Sequence, residues 1–126
     1  MAVNYSAAVK AARMQAVLDA IDASAPVATL EICSAAFAAV LATIPLSDPS
    51  FTRAADVLTM AGVPKSDTSA DNTGTAAVAR IKDGSGGTIV NNLTVGTTGT
   101  DIILNSTAIT AGQTVTITAG TITHAA

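Results

Sequence analysis

The stretch from Thr88 to Ala126 constrains the fold more than any other part of the chain, because short runs of Val, Ile, Leu and Thr recur there, broken by Gly, Asn, Asp and Ser. Apolar residues two apart, bounded by turn-forming residues, are the mark of half-buried β-strands. Ile89, Asn91, Leu93 and Val95 alternate on one strand, and Ile102 to Asn105 form a short apolar one. In the last strand Val115 and Ile117 share a face, but Ile122 lies at odd spacing from them. A bulge at Ala119-Gly120 restores it to that face.

The same pattern begins upstream. Ala77, Ala79 and Ile81 face one way on Thr75–Lys82, with Arg80 and Lys82 facing the other. Asp83-Gly84-Ser85-Gly86-Gly87 then supplies a hairpin connection to the next strand. Gly96–Asp101 and Ala111-Gly112 are further turns. Val27–Cys33 alternates as a strand, Phe37–Leu46 suits a buried strand or a short helix with strand preferred, and Val57–Met60 is a third strand. The Gly62–Gly74 segment reads as loop throughout.

One helix stands apart from these strands. Over residues 6–22, Ser6 is the expected N-cap and Met14, Val17, Leu18 and Ile21 fall on one face. Tyr5, Val9, Ala12, Ala16 and Ala20 line the opposite side, so the helix is apolar on two faces and is expected to have two neighbours. Its cations come early, while Asp19 and Asp22 come late, against the helix dipole. Packing, not local propensity, must therefore hold it. Pro26 closes the helical region. The expectation is one domain, 1–126, with the helix at 6–22 and a small antiparallel β-sandwich of about seven strands over 27–126.

Charge and composition narrow the function. Only 12% of the residues are charged, about half the usual share of roughly 25%. A poorly charged surface favours association. The net charge is −3, and Lys10, Arg13, Arg53, Lys65, Arg80 and Lys82 are scattered, which argues against direct nucleic-acid binding. No basic segment followed by an unbroken apolar one opens the chain, and the apolar run 32–46 is shorter than the roughly 18 residues of a membrane span. The expectation is a soluble protein made in a cytoplasm, with no membrane partner.

Chemistry-bearing residues are sparse. Cys33 is the single cysteine and sits in an apolar run, as a small buried hydrophobe would. His124 is the single histidine, near the C-terminus, with no nucleophile motif to complete a triad. Asp67, Asp71 and Asp83 lack metal-site spacing and suit turns. Gly84–Gly87 lacks the lysine and helix of a phosphate loop. The expectation is no catalytic residue, no cofactor and no metal, with Tyr5, Val9, Ala12, Ala16 and Ala20 as the candidate intersubunit interface.

The opening YSAAVKAARMQAVLDAI and the closing DNTGTAAVARIKDGSGGTIVNNLTVGTTGTDIILNSTAITAGQTVTITAGTITHA together resemble small virion-associated structural proteins of long-tailed bacteriophages and prophages. Those proteins open on a similar Y-S-x-A-x-K-x-A-R helix and close on G-T-A, a Gly-rich hairpin, V-G-T-x-G-x-D and a T-I-T-like strand. The 26–62 segment departs from their pattern, with VATLEICSAAFAAVLATIP in place of an aromatic-bearing strand and an R-x-Y-D-G-like turn. The resemblance implies a capsid decoration, cement or minor capsid protein on the virion surface, bound to the major capsid protein and to copies of itself, with a trimer preferred. It brings no catalytic residues. Two other readings stay open: a head-to-tail or tail component, and a surface-binding module whose loops, Lys65–Thr73 or Gly96–Asp101, recognise a host glycan.

Overall fold

A computed structural model describes residues 5–23, 28–47 and 49–123; His124 and Pro26 lie outside them. Among the described residues the protein is mainly β with one α-helix, α1 (Ala7–Ile21). The strands are β1 (Thr29–Cys33), β2 (Val40–Pro45), β3 (Phe51–Ala54), β4 (Val57–Met60), β5 (Lys65–Asp67), β6 (Gly74–Thr75), β7 (Val78–Lys82), β8 (Thr88–Gly96), β9 (Ile102–Leu104), β10 (Ala108–Ile109) and β11 (Val115–Thr123). Eight of them form one path, β2-β1-β7-β8-β9-β11-β4-β3, with β5 beside β11; β6 and β10 pair separately.

This differs from the expected antiparallel sandwich of about seven strands. The described residues contain more and shorter strands, and the main sheet is mixed because β8 and β9 run parallel. Register shifts in the β1–β2, β7–β8 and β9–β11 ladders bend the sheet, as bulges do, so it curls over its own inner face. Leu30, Ile32, Ile44, Ile81, Ile102 and Ile117 fill that inner space and are fully buried.

The bulge expected at Ala119-Gly120 falls at Thr118, between the Ile117–Leu104 and Ala119–Ile103 pairs. Gly120 is then turned inward, where an added Cβ would stand 3.0 Å from Met60 Cε and 3.3 Å from Ile102 Cδ1. β5 and β4 run antiparallel to successive stretches of β11 on its other side. The 57–67 segment is therefore one long strand interrupted at 61–64, where Gly62 takes a φ of 72°. The Gly62–Gly74 region expected to be loop throughout contains β5 and the start of β6. Its Lys65-Ser66-Asp67 strand is polar and so carried no alternation to announce it.

Polar side chains close the curl. At the β2 edge the Asp67 carboxylate accepts from Thr43 N–H at 3.1 Å, and Thr43 Oγ1 donates to Asp71 Oδ2 at 3.2 Å. Asp71 N–H donates to Leu41 C=O at 2.7 Å, and the Asn72 side-chain amide donates to Val40 C=O at 2.7 Å. Edge groups of β2 that would otherwise offer a template to another strand are satisfied from within the chain. The expected Phe37–Leu46 strand is real only over β2; before it, Ala35–Phe37 form a 3₁₀ turn.

α1 packs across β3 and β4 through Met14, Leu18 and Ile21, all buried. Ser6 caps it, accepting from Val9 N–H at 3.2 Å. The late Asp22 that opposes the dipole has a structural role: its carboxylate accepts from Ser50 N–H at 3.2 Å, tying the helix end to the start of β3. Ser50 itself is fully buried, and its hydroxyl has no hydrogen-bond partner among the described residues. A buried, unsatisfied hydroxyl is destabilising. Ser50→Ala is expected to raise the unfolding free energy by about 1 kcal/mol, read from urea denaturation midpoints; a loss of stability would show that the hydroxyl is satisfied in solution.

Candidate functional site

Helical geometry sets the first candidate surface. With Met14, Leu18 and Ile21 turned to the sheet, Tyr5, Val9, Ala12 and Ala16 are exposed and Ala20 is half-buried at the margin. Tyr5 is 43% and Val9 44% exposed, high for large apolar residues, and Arg13 stacks its guanidinium 4.5 Å from the Tyr5 ring centroid. The methyls of Ala12 and Ala16 continue the strip beyond the larger Tyr5 and Val9 side chains as a low apolar surface, suited to close approach by another surface.

A second surface lies where α1 meets the sheet. Met14 and Val17 from the helix, Ile89 and Val90 from β8 and Ile122 from β11 line an open groove of about 430 Å³, with Arg13 at its rim. Periodicity did not reveal it, because it is assembled from three segments distant in sequence. Part of the reason lies in β8, where the pairs Ala79–Leu93 and Ile81–Val90 leave an extra residue and Asn92 takes a φ of 57°. The alternation expected for Ile89, Asn91, Leu93 and Val95 is thereby broken. Leu93 and Val95 are buried, Asn91 is exposed, and Ile89 and Val90 are half-buried at the groove.

Arg80 and Lys82 do face away from Ala79 and Ile81. On that outer face Arg80 Nε lies 2.6 Å and Lys82 Nζ 3.4 Å from Glu31 Oε1, and Arg80 also covers the Phe37 ring at 5.2 Å. Partly exposed pairs of this kind contribute about 0–1 kcal/mol. They pin the β1–β7 register, since Glu31 and Arg80 are direct cross-strand partners.

Cys33 is fully buried, and burial pushes its thiol pKa up, with the nearby Arg80 charge opposing. Little thiolate exists at neutral pH, and the thiolate is the reactive form. Asp83 acts as a turn residue: one carboxylate oxygen accepts from Ser85 N–H, Ser85 Oγ and Gly87 N–H at 2.8–3.0 Å, and these bonds, the Ser85 hydroxyl first, lower its pKa. Asp67 and Asp71 converge on Thr43 as edge caps. Among the described residues no three His, Cys, Asp or Glu side chains are grouped to hold a metal ion, and no helix is long and apolar enough to cross a membrane.

Fold and surfaces together define a mainly β scaffold with one helix, whose prominent exposed features among the described residues are apolar contact surfaces. Compared with protein-family models, curated proteins and solved structures, the chain matches none.

Proposed function

We propose that this chain is a non-enzymatic structural protein of a bacteriophage particle, a decoration or cement subunit that docks on the major capsid protein through the outer face of α1. The observation that carries the reading is the exposed Tyr5, Val9, Ala12 and Ala16 strip on a helix whose other face is already committed to the sheet. Such a strip gains free energy only when something covers it. The sequence resemblance to small virion-associated proteins supplies the partner, and the low charge fits a subunit covered in an assembly. The capped β2 edge also suits a particle protein made in many copies, because it discourages open-ended strand pairing.

A cement acts by mass action. A subunit that binds the assembled shell better than loose capsid protein stabilises the shell in proportion to its occupancy. A symmetric oligomer, with a trimer preferred, would present several α1 faces to the lattice at once and gain avidity. Ala16→Glu puts a carboxylate at the C-terminal end of the strip, where docking would desolvate it. Incorporation into particles is expected to fall about tenfold or more, with the circular dichroism spectrum and melting profile of the isolated protein unchanged. Full incorporation of this variant would remove α1 as the docking face. Quantitative mass spectrometry of the particles tests the location separately: many copies per particle are expected, whereas a few copies would favour a connector or tail component.

A further inference from the structure

β9 is too short to join its two neighbours along their whole length. It meets β8 only at Val95–Ile102 and Gly96–Ile103, and β11 only opposite Ile117, Ala119 and Gly120. Towards Thr88 on one strand and Thr123 on the other, β8 is held by β7 alone and β11 by β4 alone. Thr121 N–H donates to Asp101 C=O on the β9 side. Strand alternation turns the N–H and C=O of Thr123 to that same side, where no backbone partner stands among the described residues. Thr88–Asn91 likewise has no backbone bond among them on the side away from β7. The sheet therefore has an unfilled strand position in line with β9.

The apolar groove lies at this position. Ile89 and Val90 of β8 and Ile122 of β11 stand on its walls, and Met14 and Val17 of α1 lie across it. Open strand edges are normally blunted by charge, proline or a cover. At β2 this protein does so with Asp67, Asp71 and Asn72. β8, by contrast, carries no charge and no proline, and the left-handed Asn92 limits its regular open edge to Thr88–Asn91, a span of roughly 13 Å. Arg13 is the one ionisable side chain among the described residues that line the groove, and it has no ion pair among them. Its guanidinium face rests on the Tyr5 ring, which leaves the N–H edge for a carboxylate. The nearby charges are committed elsewhere: Asp83 to Ser85 and Gly87 in its own turn, and Lys82 to Glu31 on the outer face.

We infer that an extended segment of a partner protein enters this gap as an added strand between β8 and β11, with apolar side chains towards α1 and a carboxylate at Arg13. Unpaired backbone on two walls selects a peptide over a lipid, the apolar lining selects alternate side chains, and Arg13 selects the charge. β9 already runs parallel to β8 and antiparallel to β11, and the incoming strand continues that arrangement. The contact uses the sheet side of α1, not Val9, Ala12 and Ala16, and is independent of the capsid reading.

The probe is a capped hexapeptide of alternating valine and threonine that opens on aspartate, titrated to about 5 mM against the isotope-labelled chain and followed by amide resonances and hydrogen exchange. A dissociation constant of about 0.1–1 mM is expected, with exchange slowed about tenfold at Thr123 and at the groove-facing amides of Thr88–Asn91. N-methylation of every second peptide amide, which removes donors and keeps the side chains, is expected to weaken binding about tenfold or more. Lysine in place of the aspartate is expected to weaken it about fivefold, and Arg13→Gln, at an exposed helix position, to abolish that preference while the hexapeptide still binds. Absence of peptide binding overturns the inference, as do equal binding of the methylated peptide, protection confined to other strands, or a preference for aspartate that survives Arg13→Gln. Decanoate that occupies the groove where the peptide does not would assign it to a lipid. Protection of the same amides that rises with protein concentration, without peptide, would assign it to a second copy. Either result overturns the inference.

Discussion

Phe51→Ala is expected to lower the unfolding free energy by about 3–5 kcal/mol, the largest loss foreseen for a single side chain in this protein. Phe51 is 1% exposed, pairs with Met60 across the β3–β4 hairpin, and lies where α1 crosses the sheet. The chain has only two Phe, one Tyr and no Trp. Most other core residues are Leu, Ile or Val, whose branched side chains fill the space of a lost aromatic ring only by leaving their preferred rotamers. A cavity that cannot collapse keeps its full penalty. Domains of this size are stable by only about 5–15 kcal/mol, so the change would remove a large fraction of the total. Urea denaturation should show a lower midpoint with an unchanged slope, since the surface exposed on unfolding is nearly the same. A loss below about 1 kcal/mol would mean that α1 and β3 settle into the vacated volume.

How much of this was readable from residues alone depended on whether the signal was local. α1 was, because Ser6 and the spacing of Met14, Leu18 and Ile21 are local facts, and the same spacing put Val9 and Ala16 on the exposed side. The bulge in β11 followed from the mismatch of Ile117 and Ile122 and lies within two residues of its expected place. The bulge in β8 did not, because Ile89, Asn91, Leu93 and Val95 alternate in sequence, and an asparagine at 92, although a residue type that tolerates the left-handed region, is only a weak signal inside that alternation. The parallel pairing of β8 with β9 and the return of β2 toward β5 are long-range choices that periodicity cannot encode. The groove inherits that limit, since its walls come from α1, β8 and β11. The turn before β2 was hidden differently: Ala35–Ala39 resembles continuous buried structure, and only the backbone reveals a turn there.

The closure of the sheet rests on a carboxylate, and this makes Asp67→Ala the second large effect. Asp67 accepts from Thr43 N–H at 3.1 Å with one oxygen and from Ser69 N–H at 2.9 Å with the other. It thereby serves the β2 edge and the turn that follows β5 together. Hydrogen bonds to a charged acceptor contribute about 1.5–3 kcal/mol each, and a partly buried donor left without one adds a desolvation penalty. The alanine variant is expected to lose about 2–3 kcal/mol. Asp67→Asn keeps an oxygen acceptor in the same place and should lose less than half of that. Hydrogen exchange locates the effect: opening the seam selectively by about 2 kcal/mol speeds exchange at Thr43 by about 30-fold, while amides of the β7–β8 ladder follow only the fall in global stability. An unchanged Thr43 rate in Asp67→Ala would show that the bonds of Asp71 and Asn72 close the edge without Asp67. A seam of side chains suits this position, because β5 is only three residues long and offers too short a backbone edge for a full ladder. Aspartate and asparagine reach across what remains, satisfying β2 without creating a further strand edge that another copy could extend.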